Sequence, residues 1–184
     1  SSPFRRQLLE RLQLPFSVES PEIDESPLPL ESPHALVLRL AEAKARAVAR
    51  KHAAALIIGS DQAAVLHNEI LGKPGNRKNA VMQLEKCNGK KLSFHTGLCL
   101  LDSSSGQMQL DDVVIEVKFR TLTTAQIERY IDIDQPFNCA GSFKSEGLGI
   151  SLLEYMHGDD PTALIGLPLI RLTDMLIGCG LKLP

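Results

Sequence analysis

The residues best suited to chemistry stand in Gly59-Ser60-Asp61-Gln62 and, further on, in Gly72-Lys73-Pro74. An aspartate can take a proton from water or hold a hard cation, and a lysine ammonium neutralises phosphate oxygens. Ahead of Asp61 runs Ala53-Ala54-Ala55-Leu56-Ile57-Ile58, apolar without a break. A short apolar run with β-branched residues and a closing glycine predicts a strand buried on both faces. Asp61 then falls just past the carboxyl end of that strand, where open α/β sheets bind ligands. Ala64-Val65-Leu66 and Glu69-Ile70-Leu71 flank His67-Asn68 as a short hairpin. That hairpin returns Lys73 toward the carboxylate, and Pro74 keeps Lys73 out of the helical region. A carboxylate and a lysine converging at a strand end suit phosphate chemistry. The plainer alternative is a turn aspartate and a solvated lysine.

Other charged groups fit the same chemistry. Ser2-Pro3 predicts a helix start, with serine as N-cap and proline at the first helical position. Arg5 and Arg6 then occupy the first turn, where the helix dipole disfavours cations unless an anion is bound there. Glu22-Ile23-Asp24-Glu25 lies in the irregular, proline-rich stretch 20–33. Clustered loop carboxylates either hold Mg²⁺ or Mn²⁺ or form a solvated acidic turn. Lys44 sits on the margin of an apolar helical stripe formed by Leu36, Leu40, Ala43 and Ala47, and it can snorkel outward or point into a cleft. Ala140-Gly141-Ser142-Phe143-Lys144-Ser145-Glu146-Gly147-Leu148-Gly149 is a glycine-rich loop whose backbone can approach a ligand. It lacks the Gly-Lys-Ser/Thr order of a phosphate-binding P-loop.

The elements that must position these groups follow from periodicity. Helices are expected from Pro3, from Pro33, over 79–87, from Thr124 to near Asp134, and from Pro168 to just before Gly178. Thr123 and Gln126 form a capping box at the fourth of these. Strands are expected over 16–19, 92–101, 113–120 and 150–155 besides the central run. The chain has 184 residues, enough for one domain with a buried core, and its 43% hydrophobic and 23% charged content is that of an ordinary globular protein. A net charge of −2 supplies no basic field for nucleic acid. No apolar run reaches the roughly 20 residues of a membrane helix. Cys87, Cys99, Cys139 and Cys179 are too scattered for a zinc ribbon or a redox pair, which suggests reduced thiols and a cytoplasmic location. The opening Ser1-Ser2-Pro3 reads as the middle of a motif, with a further strand expected ahead of it.

Several of these stretches coincide with one family. Ser2-Pro3-Phe4-Arg5-Arg6, followed by Leu8-Leu9, resembles the opening motif of the Maf family of nucleotide pyrophosphatases. Lys44 within Leu40-Ala41-Glu42-Ala43-Lys44-Ala45 matches the lysine of its second helix. Gly59-Ser60-Asp61-Gln62, Gly72-Lys73-Pro74 and Ala140-Gly141-Ser142-Phe143 through Glu146-Gly147 match its remaining blocks in order. The resemblance spans essentially the whole chain. It implies a mixed α/β fold, a twisted sheet with flanking helices in an elongated, two-lobed single domain with a central cleft. It also implies a homodimer, a divalent metal, and hydrolysis of a nucleoside triphosphate to the monophosphate and pyrophosphate.

Three positions depart from the common pattern of the family. Phe4 replaces an arginine, Gln62 a threonine and Glu146 a glutamine. Those departures resemble the branch acting on 7-methyl-GTP, which usually carries tryptophan at the position of Phe4. A cationic methylated guanine suits an aromatic face at Phe4 and a full carboxylate at Glu146. By this resemblance Asp61 is the proton acceptor, Arg5, Lys44 and Lys73 the phosphate cations, Glu25 and Asp61 the metal ligands, and Phe4, Gln62 and Glu146 the specificity residues. The other expectations are a dTTP and UTP pyrophosphatase of the same family, or a nucleotide-binding interaction protein without turnover.

Overall fold

A computed structural model describes residues 2–184, and serine-proline or threonine caps open three of its helices. The Ser2 side chain accepts from the Arg5 amide and opens α1 (Pro3–Glu10), and Ser32 does the same at Ala35 to open α2 (Pro33–Ala49). Then come β1 (Leu56–Leu66), β2 (Glu69–Leu71), α3 (Arg77–Cys87), β3 (Lys91–Asp102), β4 (Met108–Phe119) and α4 (Thr124–Asp134). Two 3₁₀ turns lead to β5 (Leu153–His157), α5 (Thr162–Ile165) and α6 (Leu169–Gly178). The strands form one sheet in the order β2-β1-β3-β4-β5, so the fold is mixed α/β. The Thr123–Gln126 capping box is formed in both directions.

The chain divides into two compact units, the first made of residues through Gln62 with Thr96–Val113 and Asp160–Pro184, the second of Ala63–His95 and Val114–Asp159. In the first unit Leu8 of α1, Leu98 and Leu100 of β3, and Leu172, Met175 and Leu176 of α6 share one apolar core. Ala41 and Ala45 of α2 pack with Ile57, Cys99 and Leu101. In the second unit Phe143 lies 5.6 Å from Phe94 and 5.5 Å from Phe119, ring centre to ring centre. Such tilted and edge-on contacts suit the ring quadrupoles. The sheet edges of this unit are antiparallel pairs, Val65 with Ile70 and Val117 with Met156.

Three expectations are corrected. The central strand does not end at Gly59: β1 runs from Leu56 to Leu66, and Asp61 lies within it rather than beyond its end. Gly59 serves packing instead, because a Cβ there would stand 2.1 Å from the Ala41 carbonyl oxygen on α2. Residues 53–55 lie outside the strand, since alanines carry little strand preference. The stretch 16–19 forms no strand. The last strand starts at Leu153, after Leu148–Leu152 is taken up by a 3₁₀ turn.

The hairpin is as expected. His67 and Asn68 hold φ of 48° and 73° between β1 and β2. Two left-handed residues at the tip are what a tight turn matched to strand twist requires. No helix among the described residues is long and apolar enough to cross a membrane.

Candidate active site

Asp61 points from the middle of β1 toward α2, and Lys44 on α2 reaches it. The Lys44 Nζ lies 2.6 Å from an Asp61 carboxylate oxygen and 2.6 Å from Glu25 Oε1. Lys44 and Asp61 side chains are each 15% exposed, and Glu25 is 52% exposed. Lys44 therefore turns inward, and the two carboxylates bracket its ammonium at the mouth of a partly buried site. The approach of α2 to β1 that makes this possible depends on the bare Cα of Gly59 and the small Ala41 and Ala45.

Glu25 is carried by the 20–33 loop, which is tied down rather than merely solvated. Glu31 accepts from Arg39 Nε at 2.6 Å, and Arg39 also donates to the Ser26 carbonyl at 3.0 Å. The Arg39 hydrogen bond holds the Glu31 carboxyl down to about 2. Asp24 turns back on its own loop and accepts from the Ser26 amide at 2.9 Å.

The two arginines of α1 part ways. Arg6 pairs with Glu10 on the surface of its own helix. Arg5 turns inward and donates from Nε to the Gly166 carbonyl at 2.7 Å. Burial pushes its pKa down, while the nearby charges of Asp61 and Glu25 push it up. Arg5, Lys44, Asp61 and Glu25 thus form one electrostatic cluster. Gln62 spends its amide nitrogen on Thr96 Oγ1 at 3.1 Å and on the Ala163 and Leu164 carbonyls at 2.8 and 3.1 Å. Phe4 is half-buried on α1.

Lys73 and Glu146 belong to the second unit, where both charges act on Cys139. Burial is the largest influence on that thiol and raises its pKa. Lys73 and Glu146 are exposed. The Gly72 carbonyl accepts from the Gly141 amide at 3.3 Å and from Gln83 Nε2 at 3.0 Å, which fastens the Lys73 strand end to the glycine-rich loop. Ser142 in turn donates to Gln83 Oε1 at 2.6 Å. The Tyr130 hydroxyl accepts from the Lys144 amide at 3.0 Å, and Gly147 is packed against the Asp134 carboxylate. Gln83, Tyr130 and Thr96 are supports that sequence reading missed. Their types are commonplace, and only their partners in space mark them.

A family model described as "Maf-like protein" matches residues 1–179. The chain belongs to the Maf family. Among the relatives of this Maf chain, a protein of Alcanivorax borkumensis named 7-methyl-GTP pyrophosphatase is 58% identical, covering 100% of this chain and 93% of its own. Proteins with the same name from Pseudomonas fluorescens and Burkholderia thailandensis are 55% and 53% identical over 100% of this chain, covering 96% and 86% of theirs. The Maf motif residues Arg5, Lys44 and Asp61 are those the first unit gathers, together with Glu25. Among the described residues no group of three His, Cys, Asp or Glu is placed to hold a metal by itself. Glu25 and Asp61 are oxygen donors of the kind a divalent cation takes, and phosphate and water would have to complete its coordination.

Proposed function

We propose that this protein hydrolyses 7-methyl-GTP to 7-methyl-GMP and pyrophosphate. The observation that carries the reading is the Glu25–Lys44–Asp61 cluster, with both contacts at 2.6 Å, in a chain whose Maf relatives bear that activity in their names. Asp61 accepts a proton from water as the water oxygen bonds to the α-phosphorus. The bond from that phosphorus to the bridging oxygen of the β-phosphate breaks, and pyrophosphate leaves with the electron pair. Arg5, Lys44 and Lys73 stabilise charge on the triphosphate and on the leaving group. A Mg²⁺ or Mn²⁺ ion held by Glu25, Asp61 and substrate phosphates would neutralise charge on the triphosphate.

Glu146 accepts hydrogen bonds from the N1–H and exocyclic amine of the base, and its charge favours the cationic methylated ring. Phe4 offers that ring an aromatic face. Gln62, with its amide committed to the 163–164 backbone, shapes the site instead of reading the base with that amide. We place the protein in the cytoplasm, a reading supported by the unpaired state of all four cysteines. We also read it as a homodimer. Ile133, Leu148 and Ile150 on the second unit are 58%, 40% and 53% exposed and offer apolar surface for association.

The test is a panel of GTP, 7-methyl-GTP, dTTP and UTP assayed for pyrophosphate with and without added divalent cation. The expected result is highest kcat/KM for 7-methyl-GTP. Equal or better turnover of dTTP and UTP would move the protein to the pyrimidine branch, and no turnover of any member would leave a binding protein.

A further inference from the structure

Asp160 is a buried carboxylate that the reaction does not use, at 2% exposure. In the sequence it is one residue of a Gly-Asp-Asp-Pro turn. In the fold each of its carboxylate oxygens is engaged. Oδ1 accepts from the Thr162 amide at 3.0 Å and from the Thr162 hydroxyl at 2.5 Å. Oδ2 accepts from the Ile170 amide at 2.7 Å and the Arg171 amide at 3.4 Å, at the start of α6. Thr162 Oγ1 also accepts from the Leu169 amide at 2.8 Å. One carboxyl group thus joins α5 to the first turn of α6, at the positive end of the helix dipole.

The turn so fixed presents its carbonyls to the site. Gly166 closes α5 with φ of 119°, and its carbonyl accepts from Arg5 Nε at 2.7 Å and from Ser60 Oγ at 3.0 Å. The Ala163 carbonyl accepts from Gln62 Nε2 at 2.8 Å and Thr96 Oγ1 at 2.9 Å. The Arg5 guanidinium is therefore aimed by a backbone carbonyl, and the position of that carbonyl is set by the network around Asp160.

We propose that Asp160 is a positioning residue that aims Arg5 at the phosphates through the 162–166 turn. The proposal rests on Arg5 acting as a phosphate cation in the reaction given above. Asp160→Asn turns an acceptor oxygen into an amide that faces the donors at the start of α6, so the turn loses its anchor while the volume stays constant.

Wild type, Asp160→Asn, Arg5→Ala and the double mutant are compared in three measurements: kcat and KM for 7-methyl-GTP, affinity for α,β-methylene-GTP by titration calorimetry, and melting temperature. Asp160→Asn is expected to remain folded at the assay temperature and to lose about 10- to 100-fold in kcat/KM, the scale of a small misplacement of a reacting group. The double mutant should be no worse than Arg5→Ala, because both changes remove one function. Losses that multiply, or a lowered melting temperature with wild-type kcat/KM, overturn the proposal, as does Arg5→Ala with wild-type kinetics. If wild type fails to turn over 7-methyl-GTP, the functional reading fails on its own, and the same four proteins are compared by analogue affinity. Coupling there supports the positioning role, while additivity or absence of binding overturns it. If Asp160→Asn does not fold, Thr162→Val carries the same comparison, with Thr162→Ser expected to restore activity; equal activity of the two overturns the proposal.

Discussion

At the scale of single residues, Lys44 is the centre of the carboxylate cluster. Its ammonium is shared by Asp61 and Glu25, so removing it leaves two carboxylates facing each other without the cation between them. Lys44→Ala should raise the transition-state barrier by roughly 2–4 kcal/mol, the range for losing one preorganised electrostatic partner. Wild-type kcat/KM in that mutant would show the pair to be structural only. Asp61→Asn keeps shape and a hydrogen-bond acceptor but not the proton acceptor. Turnover is expected to fall by ~10²-fold or more with nucleotide affinity largely kept. Affinity and turnover measured on the same preparation separate that outcome from simple unfolding. For specificity, Glu146→Gln removes charge and leaves size unchanged. It should lower the ratio of kcat/KM for 7-methyl-GTP over GTP, because only the methylated base carries the extra positive charge. An unchanged ratio in a wild type that prefers the methylated base would dismiss the charge argument and leave the family untouched.

At the scale of elements, two attachments bring the first-unit groups together. The loop carrying Glu25 is held to α2 by Arg39, which binds both Glu31 and the Ser26 carbonyl. Arg39 lowers the Glu31 pKa from 4.5 to about 2, so the folded state favours the ionised form. By linkage the stabilisation is fully present above the unfolded value and is lost as pH falls toward the folded one. The melting-temperature difference between wild type and Glu31→Gln should be constant above about pH 5 and shrink toward zero near pH 2. A difference that stays flat through that window would remove the ion pair from the account. The second attachment is the contact of α2 with β1 at Gly59. A methyl group there meets the Ala41 carbonyl oxygen at 2.1 Å and the Ala45 amide nitrogen at 3.0 Å, both backbone atoms that side-chain rotation cannot relieve. Gly59→Ala should therefore destabilise by about 1–3 kcal/mol or more, the range of overpacking, and displace Lys44 from Asp61. Thermal melting and turnover should fall together.

For the whole molecule, association is the property with a direct measurement. Exposed Ile133 on α4 and Leu148 and Ile150 on the second 3₁₀ turn are the apolar surface on which the homodimer reading leans. Sedimentation of wild type should give a dimer, and Ile150→Glu should shift it toward monomer without lowering the melting temperature of the isolated chain. A monomeric wild type would set the dimer aside and leave the chemistry of the site as described.

Local signals in the sequence carried the helix starts at Ser2-Pro3 and Ser32-Pro33, the His67-Asn68 turn and the capping box, because a cap or a tight turn is decided by a few neighbouring residues. Arg5, Lys44 and Asp61, which the first unit brings together, stand in the family motifs that the sequence displays in linear order. Tertiary structure alone decided the direction of Lys44, since a residue on the margin of an apolar stripe can turn either way until a carboxylate fixes it. It also decided the meaning of Gly59. A glycine after an apolar run looks like a strand end, yet here it admits the backbone of α2 and β1 continues through Asp61. Asp160 reads in the sequence as one residue of a Gly-Asp-Asp-Pro turn. Its burial and its backbone donors come from segments that meet only when the chain has folded. Periodicity and caps are short-range and survive in the linear text; hydrogen-bond partners far apart in the chain do not.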